Sequence, residues 1–164
     1  MAKDAGKKKS GAKNAPAPEA TKLIVDNRKA RFDYHLQDKL EAGIELKGTE
    51  VKSLREGKIN LGDAYCSIIA GEVFLVDAHI TPYSHGTHFN HEPLRKRKLL
   101  LNRQEIRRLE QRVREKGFTI IPTRVYWKRG RVKVEIALAR GKKEYDKREQ
   151  IKTRDIAREM QRHD

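Results

Sequence analysis

Between Arg95 and Gly117 the chain reads RKRKLLLNRQEIRRLEQRVREKG, with strand-like sequence on both sides. Asn102 is a good N-cap, and Glu105 stands three residues on, where its carboxylate can bond back to the Asn102 N–H as a capping box. Leu101 and Ile106 fall at the two positions of a hydrophobic staple. Ile106, Leu109 and Val113 follow at the three-and-four spacing of one helical face, and Gly117 suits the left-handed residue that ends a helix. A single well-bounded helix among short strands is a connector on which a sheet must fold.

The other faces of this helix are cationic. Arg95 to Lys116 holds ten basic residues against Glu105, Glu110 and Glu115, and Arg124 to Lys133 holds five with no acid. Over 164 residues the formal net charge is +15. Such a field attracts polyanions and carries no information on fold. Nucleic acid is the leading partner, and an anionic membrane surface is the weaker rival. Cys66 is the only cysteine, so no internal disulfide or Cys-based zinc site can form. No apolar run approaches a membrane span and no signal-peptide core opens the sequence, which points to a soluble protein of a reducing cytoplasm.

Residues 1–22, rich in Lys, Ala, Gly and Pro, read as a disordered basic arm, either solvated or touching phosphates. Order is expected over 23–140. Phe32, Tyr34 and Leu36 alternate with Asp33 and His35 as in a half-buried strand. Gln37 to Ala42 predicts one short helical turn closed by Gly43. A second extended run follows through Ile44, Leu46 and Val51, with Gly48 as a bulge, and SLREGK ends it in a helical turn. Ala64 to Ile69 and Val73 to Ile80 form a hairpin, and Thr81 to Pro93 a polar loop. Phe118 to Trp127 and Arg131 to Ala139 form a second hairpin, in which Val132, Val134, Ile136 and Leu138 alternate strictly with polar residues. The fold class is therefore mainly β with helices, an OB-fold-like antiparallel β-barrel with flanking helices.

From Gly141 onward apolar residues thin to Tyr145, Ile151, Ile156, Ala157 and Met160. Residues 141–164 are expected to be a basic tail, disordered in isolation because they bury too little to offset ordering. The Glu144–Arg148 spacing and good helix formers suit it to become a helix on a partner; the alternative is a solvated terminus without a role.

Catalytic chemistry finds little support. His85, His88 and His91 are evenly spaced in SHGTHFNHE, but nothing converges them on a metal, and a polar loop is the better reading. No nucleophile has an orienting partner, and no glycine-rich cradle follows a strand. The expectation is a non-enzyme without cofactor or metal; an RNA-modifying enzyme using those histidines is the rival from another class. Binding features are stronger. Tyr126 and Trp127 stand beside Lys128, Arg129 and Arg131, which mixes stacking surfaces with phosphate partners, although Trp127 serves equally as an anchor of the barrel end. Arg97 and Lys98 in the basic cluster are further phosphate candidates. Glu41 is a lone acid before Gly43, suited either to solvate a short helix or to accept hydrogen bonds from base donors or ribose hydroxyls. The cap role alone accounts for Asn102, and Leu100 fits core, staple support or contact with an unstacked base.

The blocks NRKARFDYHL, EAGIELKGTEVKSLREGKINLGDAY, RKRKLLLN, YWKRGRVKVEIALARGKK and YDKRE resemble the small protein B family, the bacterial protein partner of transfer-messenger RNA in ribosome rescue. The likeness covers about Asn27 to Glu149. It implies the OB-like barrel and a barrel grip on the tRNA-like end of that RNA, with Glu41, Leu100 and Asn102 matching the family's RNA-binding Glu, Leu and Asn. It also implies a tail that becomes helical in the empty messenger channel near the decoding centre of the small ribosomal subunit. Lys142, Lys143, Tyr145, Asp146, Lys147 and Arg148 fall in the family's tail motif, and Ile156 and Met160 stand where apolar contacts are expected. The resulting expectation is a monomeric cytoplasmic adaptor with transfer-messenger RNA and the ribosome as partners and no membrane role. A general OB-type ribosomal protein is the runner-up.

Overall fold

The structure is a computed structural model that describes residues 20–86, 89–115 and 117–162, with residues 144 and 145 described by their backbone alone. Its elements are β1 (Thr21–Asp26), α1 (Arg28–Asp33), β2 (Tyr34–Ile44), α2 (Gly48–Arg55), β3 (Ile59–Asn60), β4 (Tyr65–Ile69), β5 (Glu72–Val76), β6 (His79–Ile80), β7 (Arg97–Leu100), α3 (Arg103–Arg114), β8 (Thr119–Lys128), β9 (Arg131–Gly141) and α4 (Glu144–Arg162).

Antiparallel pairing runs β1-β8-β4-β5-β7-β2-β9, and β8 also pairs with β9, so six strands close a ring. Strand β8 makes the closure possible. One of its edges pairs with β9 along most of its length, while the other takes β1 at Arg124 to Lys128 and β4 at Ile120. Both hairpins turn through two residues with positive φ, Ala70–Gly71 and Arg129–Gly130, a twist that matches right-handed strands. The alternating Val132, Val134, Ile136 and Leu138 of β9 are all buried, packed with Val73, Leu75, Leu99 and Ile120 in the barrel interior. Each full burial of this kind stabilises by roughly 1.5–3 kcal/mol. The OB-like barrel read from the strand pattern is the observed fold.

Helix α3 starts where its sequence signals place it and ends at Arg114, ahead of the expected Gly117 stop. Asn102 and Glu105 form the capping box, Leu109 is buried in the core, and Leu101 and Ile106 pack against it. Val113 lies at the margin, 37% exposed.

Four local expectations are corrected. Phe32 and Asp33 end a helix, not a strand, because Asn27 organises α1. The Asn27 Oδ1 accepts from the Ala30 N–H at 3.1 Å, and its Nδ2 donates to the Pro122 carbonyl at 2.8 Å, tying the cap to β8. Under α1 lies a small second cluster of Ala30, Ile121 and Ala139. Residues 37–42 continue β2 and form no helical turn. Asp38, at φ 51°, and Lys39 together oppose Ala137, a bulge that spends one extra residue and shifts the register by one. Gly48 and Val51 belong to helix α2, nucleated where Glu50 accepts from the Lys47 N–H at 3.0 Å. The boundary after residue 22 falls inside β1, since Thr21 and Lys22 pair with Lys128 and Trp127. The arm itself, residues 1–19, lies outside the described residues.

The tail is helical without a partner, against the expectation of disorder in isolation. Its first turns are fastened to the barrel. The Lys142 N–H donates to the Asp33 carbonyl at 2.8 Å, Lys147 pairs with Asp33 at 3.1 Å, and Asp146 meets His35 at 3.3 Å. A fixed first turn removes the nucleation cost that limits an isolated helix.

Candidate nucleic-acid interface

Alternation along β2, β9 and β8 sends one set of side chains into the barrel and the other outward. The outward set holds Lys39 and Glu41 on β2, Lys133 and Glu135 on β9, and Arg124, Tyr126 and Lys128 on β8. Glu135 takes Arg124 at 3.0 Å and Lys39 at 4.0 Å. Glu41 accepts a hydrogen bond from the Tyr126 hydroxyl and two from the Lys128 amine, at 3.1 and 3.2 Å. The Tyr126 bond holds the Glu41 carboxyl below its ordinary range; burial opposes it more weakly, and Lys128 adds to the lowering. Burial and the same carboxylate push the Tyr126 phenol up, so it stays a donor. The result is an ionised, oriented acceptor in a cationic field.

Register places the other two candidates beside it. Gly43, two residues along the same face, pairs with Leu100 of β7. The approach is close: a Cβ on Gly43 would stand 3.2 Å from that of Leu100. Leu100 is 49% exposed and borders an apolar cavity of about 310 Å³ with Ile44, Leu46, Val51, Trp127 and Val132, rimmed by Arg131 and Lys133. Asn102 caps α3 two residues further on and is exposed. Glu41, Leu100 and Asn102 therefore line one continuous surface: hydrogen-bond acceptor, apolar contact, amide. Trp127 packs against the core while lining the cavity, so its anchor role is realised without excluding a stacking one.

The remaining cations divide. Lys98 faces outward and pairs with Glu72 at 3.0 Å, Arg129 occupies the β8–β9 turn, and Arg131 stands at the cavity rim. Arg97 is a correction to the phosphate set. It is wholly buried, bonded to Glu50 and donating to the carbonyls of Ala78 at 2.8 Å and Pro93 at 3.1 Å. Glu50, also wholly buried, takes Arg95 as well, at 2.6 Å. Burial alone would push the Glu50 carboxyl up; bonds from Arg97, Arg95 and the Lys47 N–H outweigh it and hold it below the usual range. This charge cluster fixes α2 to β7, and so sets the strand that carries Leu100. Nothing in the run RKRK separates the buried arginine from its neighbours, because its partner stands 47 positions away. Tyr126 was legible only as a stacking candidate; its parity with Arg124 and Lys128 is the signal that it shares their face.

His91 is buried and used by the fold: one ring nitrogen meets the Ile80 carbonyl at 2.9 Å and the other the Thr49 hydroxyl at 2.9 Å. A carbonyl can only accept, so Nε2 carries a proton there. His85 stands edge-on to Tyr83, and His88 lies outside the described residues. Among the described residues no group of His, Cys, Asp or Glu is arranged to hold a metal ion, and no helix is long and apolar enough to cross a membrane.

In the tail, Asp146 and Lys147 make the barrel contacts described above, Lys142 joins them, and Lys143 and Arg148 are exposed. The Tyr145 side chain lies outside what is described. Ile156 and Met160, one turn apart, are 54% and 69% exposed, an apolar pair without cover on the barrel.

The family model "SmpB protein" matches residues 24–164. An SsrA-binding protein of Desulfitobacterium hafniense (strain DSM 10664 / DCB-2) is 56% identical over 147 residues, covering 90% of this chain and 94% of that protein. The SsrA-binding protein of Trichodesmium erythraeum (strain IMS101) is 58% identical over 145 residues, covering 88% and 93%. A solved chain described as "tmRNA-SmpB: a journey to the center of the bacterial ribosome" superposes with a TM-score of 0.63 at 48% identity, covering 73% of this chain and 85% of that one. Matched across nearly all of its described length and by its fold, this chain belongs to the SmpB protein family.

Proposed function

We propose that this chain is a non-enzymatic RNA-binding adaptor of trans-translation, acting in the cytoplasm. Its barrel captures the tRNA-like domain of transfer-messenger RNA, carries that RNA to a stalled ribosome, and the tail from residue 141 enters the vacant messenger channel at the decoding centre. Relatives named SsrA-binding proteins and a structural neighbour from a tmRNA–SmpB ribosome study support the reading. The observation that carries the capture step is the surface of Glu41, Leu100 and Asn102. It sets an ionised acceptor, an apolar contact and an amide on one cationic face. Charge brings the RNA in, with a salt-dependent increment for each phosphate neutralised, and shape with a few polar contacts selects it. Lys98, Lys128, Arg129 and Arg131 supply phosphate contacts in this reading. Tail residues Lys143, Tyr145, Asp146, Lys147 and Arg148 meet ribosomal RNA, with Ile156 and Met160 as apolar contacts. Asp146 and Lys147 leave their barrel partners to do so.

The test is binding to a folded tRNA-like RNA against duplex and single-stranded competitors at physiological salt. Wild type selects the folded RNA, and Glu41→Ala with Asn102→Ala loses at least tenfold of that selectivity. Equal binding of all three RNAs by wild type would leave only a general RNA-binding barrel.

A further inference from the structure

The outward barrel face sets two carboxylates against each other. Glu41 of β2 stands directly opposite Glu135 of β9, and like charges in paired positions weaken a sheet. Glu135 is answered by its own cross-strand neighbour on β8, Arg124, at 3.0 Å. Glu41 draws its partners from two strands away: the Tyr126 hydroxyl and the Lys128 amine meet it over β9. A neutral residue at position 41 would spare the sheet this repulsion, so stability alone does not account for the carboxylate.

Gly43 opens the way for that reach. Register aligns Gly43, Lys133 and Tyr126 in one row across β2, β9 and β8. Leu100 fills the place that a Gly43 side chain would take, its Cβ 3.2 Å from where that of residue 43 would stand. No side chain of residue 43 therefore comes between Glu41 and the groups reaching over from β8. The two partners differ in kind. Tyr126 donates to Oε2 from a rigid ring. Lys128 straddles Oε1 at 3.1 Å and Oε2 at 3.2 Å, a point charge on a flexible stem. The amine supplies charge and the hydroxyl supplies direction. A carboxylate has about four lone-pair positions, so these bonds leave room for a donor from outside.

We propose that Tyr126 is the positioning residue that sets the RNA specificity of this face: its hydroxyl holds the Glu41 carboxylate so that the remaining acceptor position meets a base N–H of an unpaired nucleotide. This assignment rests on the RNA contact proposed above for Glu41, and gives the selectivity of that contact to the phenol. In a duplex the Watson–Crick N–H donors are already paired, so an aimed acceptor favours a folded RNA that displays open bases. Lys128 acts differently, through its charge, which every RNA feels alike. Leu100, half-exposed beside Gly43, offers the same base an apolar contact.

The experiment measures binding of the full chain to a folded tRNA-like RNA and to an RNA duplex, from about 50 to 200 mM salt. It compares Tyr126→Phe, Glu41→Ala, the two together, and Lys128→Gln. Tyr126→Phe removes the hydroxyl and keeps the ring. Its preference for the folded RNA falls about tenfold, while its duplex affinity and salt slope stay those of wild type. Lys128→Gln instead weakens both RNAs and lowers the slope by about one. Adding Tyr126→Phe to Glu41→Ala costs no further preference, because the phenol then has no carboxylate to hold. Unchanged preference in Tyr126→Phe overturns the proposal. So does an additive loss in the double variant, which would make Tyr126 an independent RNA contact. A lower urea midpoint with equal loss of both RNAs would mark a structural role and overturn it too. Preference lost in Glu41→Ala but kept in Tyr126→Phe removes this assignment alone, whereas preference kept in Glu41→Ala removes the Glu41 contact with it.

Discussion

Two carboxylates in this chain carry unlike duties, and single substitutions separate them. Glu50 is wholly buried against Arg97 and Arg95, whereas Glu41 is about one-third exposed on the cationic face. Glu50→Gln leaves the buried Arg97 guanidinium without its counter-charge, and we expect a loss of about 3–5 kcal/mol in urea unfolding. Because the folded pKa of Glu50 is depressed, its stabilisation is full above the unfolded value, near 4.3, and disappears as pH falls through the folded value. The wild-type urea midpoint should therefore drop in acid below about pH 4, and Glu50→Gln should flatten that drop. Glu41→Gln breaks only exposed contacts, so stability changes within about 1 kcal/mol while RNA affinity falls. At this scale the sequence was legible where a residue's role is local. Glu41, Leu100 and Asn102, the proposed RNA contacts, lie in short blocks whose exposure could be read locally. Arg97 could not, since a guanidinium in a basic run reads as surface until a carboxylate from another helix is found beside it.

Elements show the same division between local and distant causes. The start of α3 was readable because cap and staple lie within the helix's own stretch; its end was placed too late, since Arg114 is the last helical residue and Gly117, though at positive φ, lies beyond the extended Glu115 C-cap. Helix α1 was missed, and α2 was read only as its last turn at SLREGK, because the residues that cap them, Asn27 and Glu50, also need partners on β8 and β7 that no local pattern reveals. The bulge at Asp38 was taken for a helical turn because a left-handed residue in a strand has no periodic signature. At the α3 start, fold and binding can be separated by chemistry. Asn102→Ser keeps a capping oxygen and should hold stability within a few tenths of a kcal/mol, whereas Asn102→Ala should cost about 1 kcal/mol. If the amide itself meets RNA, both variants lose affinity equally; affinity lost only in Asn102→Ala would assign the residue to capping alone. In α4, side chains from Ile151 onward are exposed, so amide hydrogen exchange there should be far faster than in β9, whose core residues are buried.

For the whole molecule, a closed barrel presents a fixed RNA surface, and a helix fastened only at its base projects from it. In the proposed function the charge of +15 serves encounter, and the two ends of this architecture serve different steps of one task. The barrel was legible from strand parity and two hairpin turns. The helical state of the tail was not, because composition weighs what the tail can bury and misses the anchoring of its first turn by Asp33 and His35. The division of labour is the central claim, and a chain truncated after Arg140 tests it most directly. Binding of the tRNA-like RNA and tagging of a nascent chain on stalled ribosomes are measured on the same preparation. Binding within about twofold of wild type, with tagging abolished, is the predicted result. Normal tagging by the truncated chain would contradict the account.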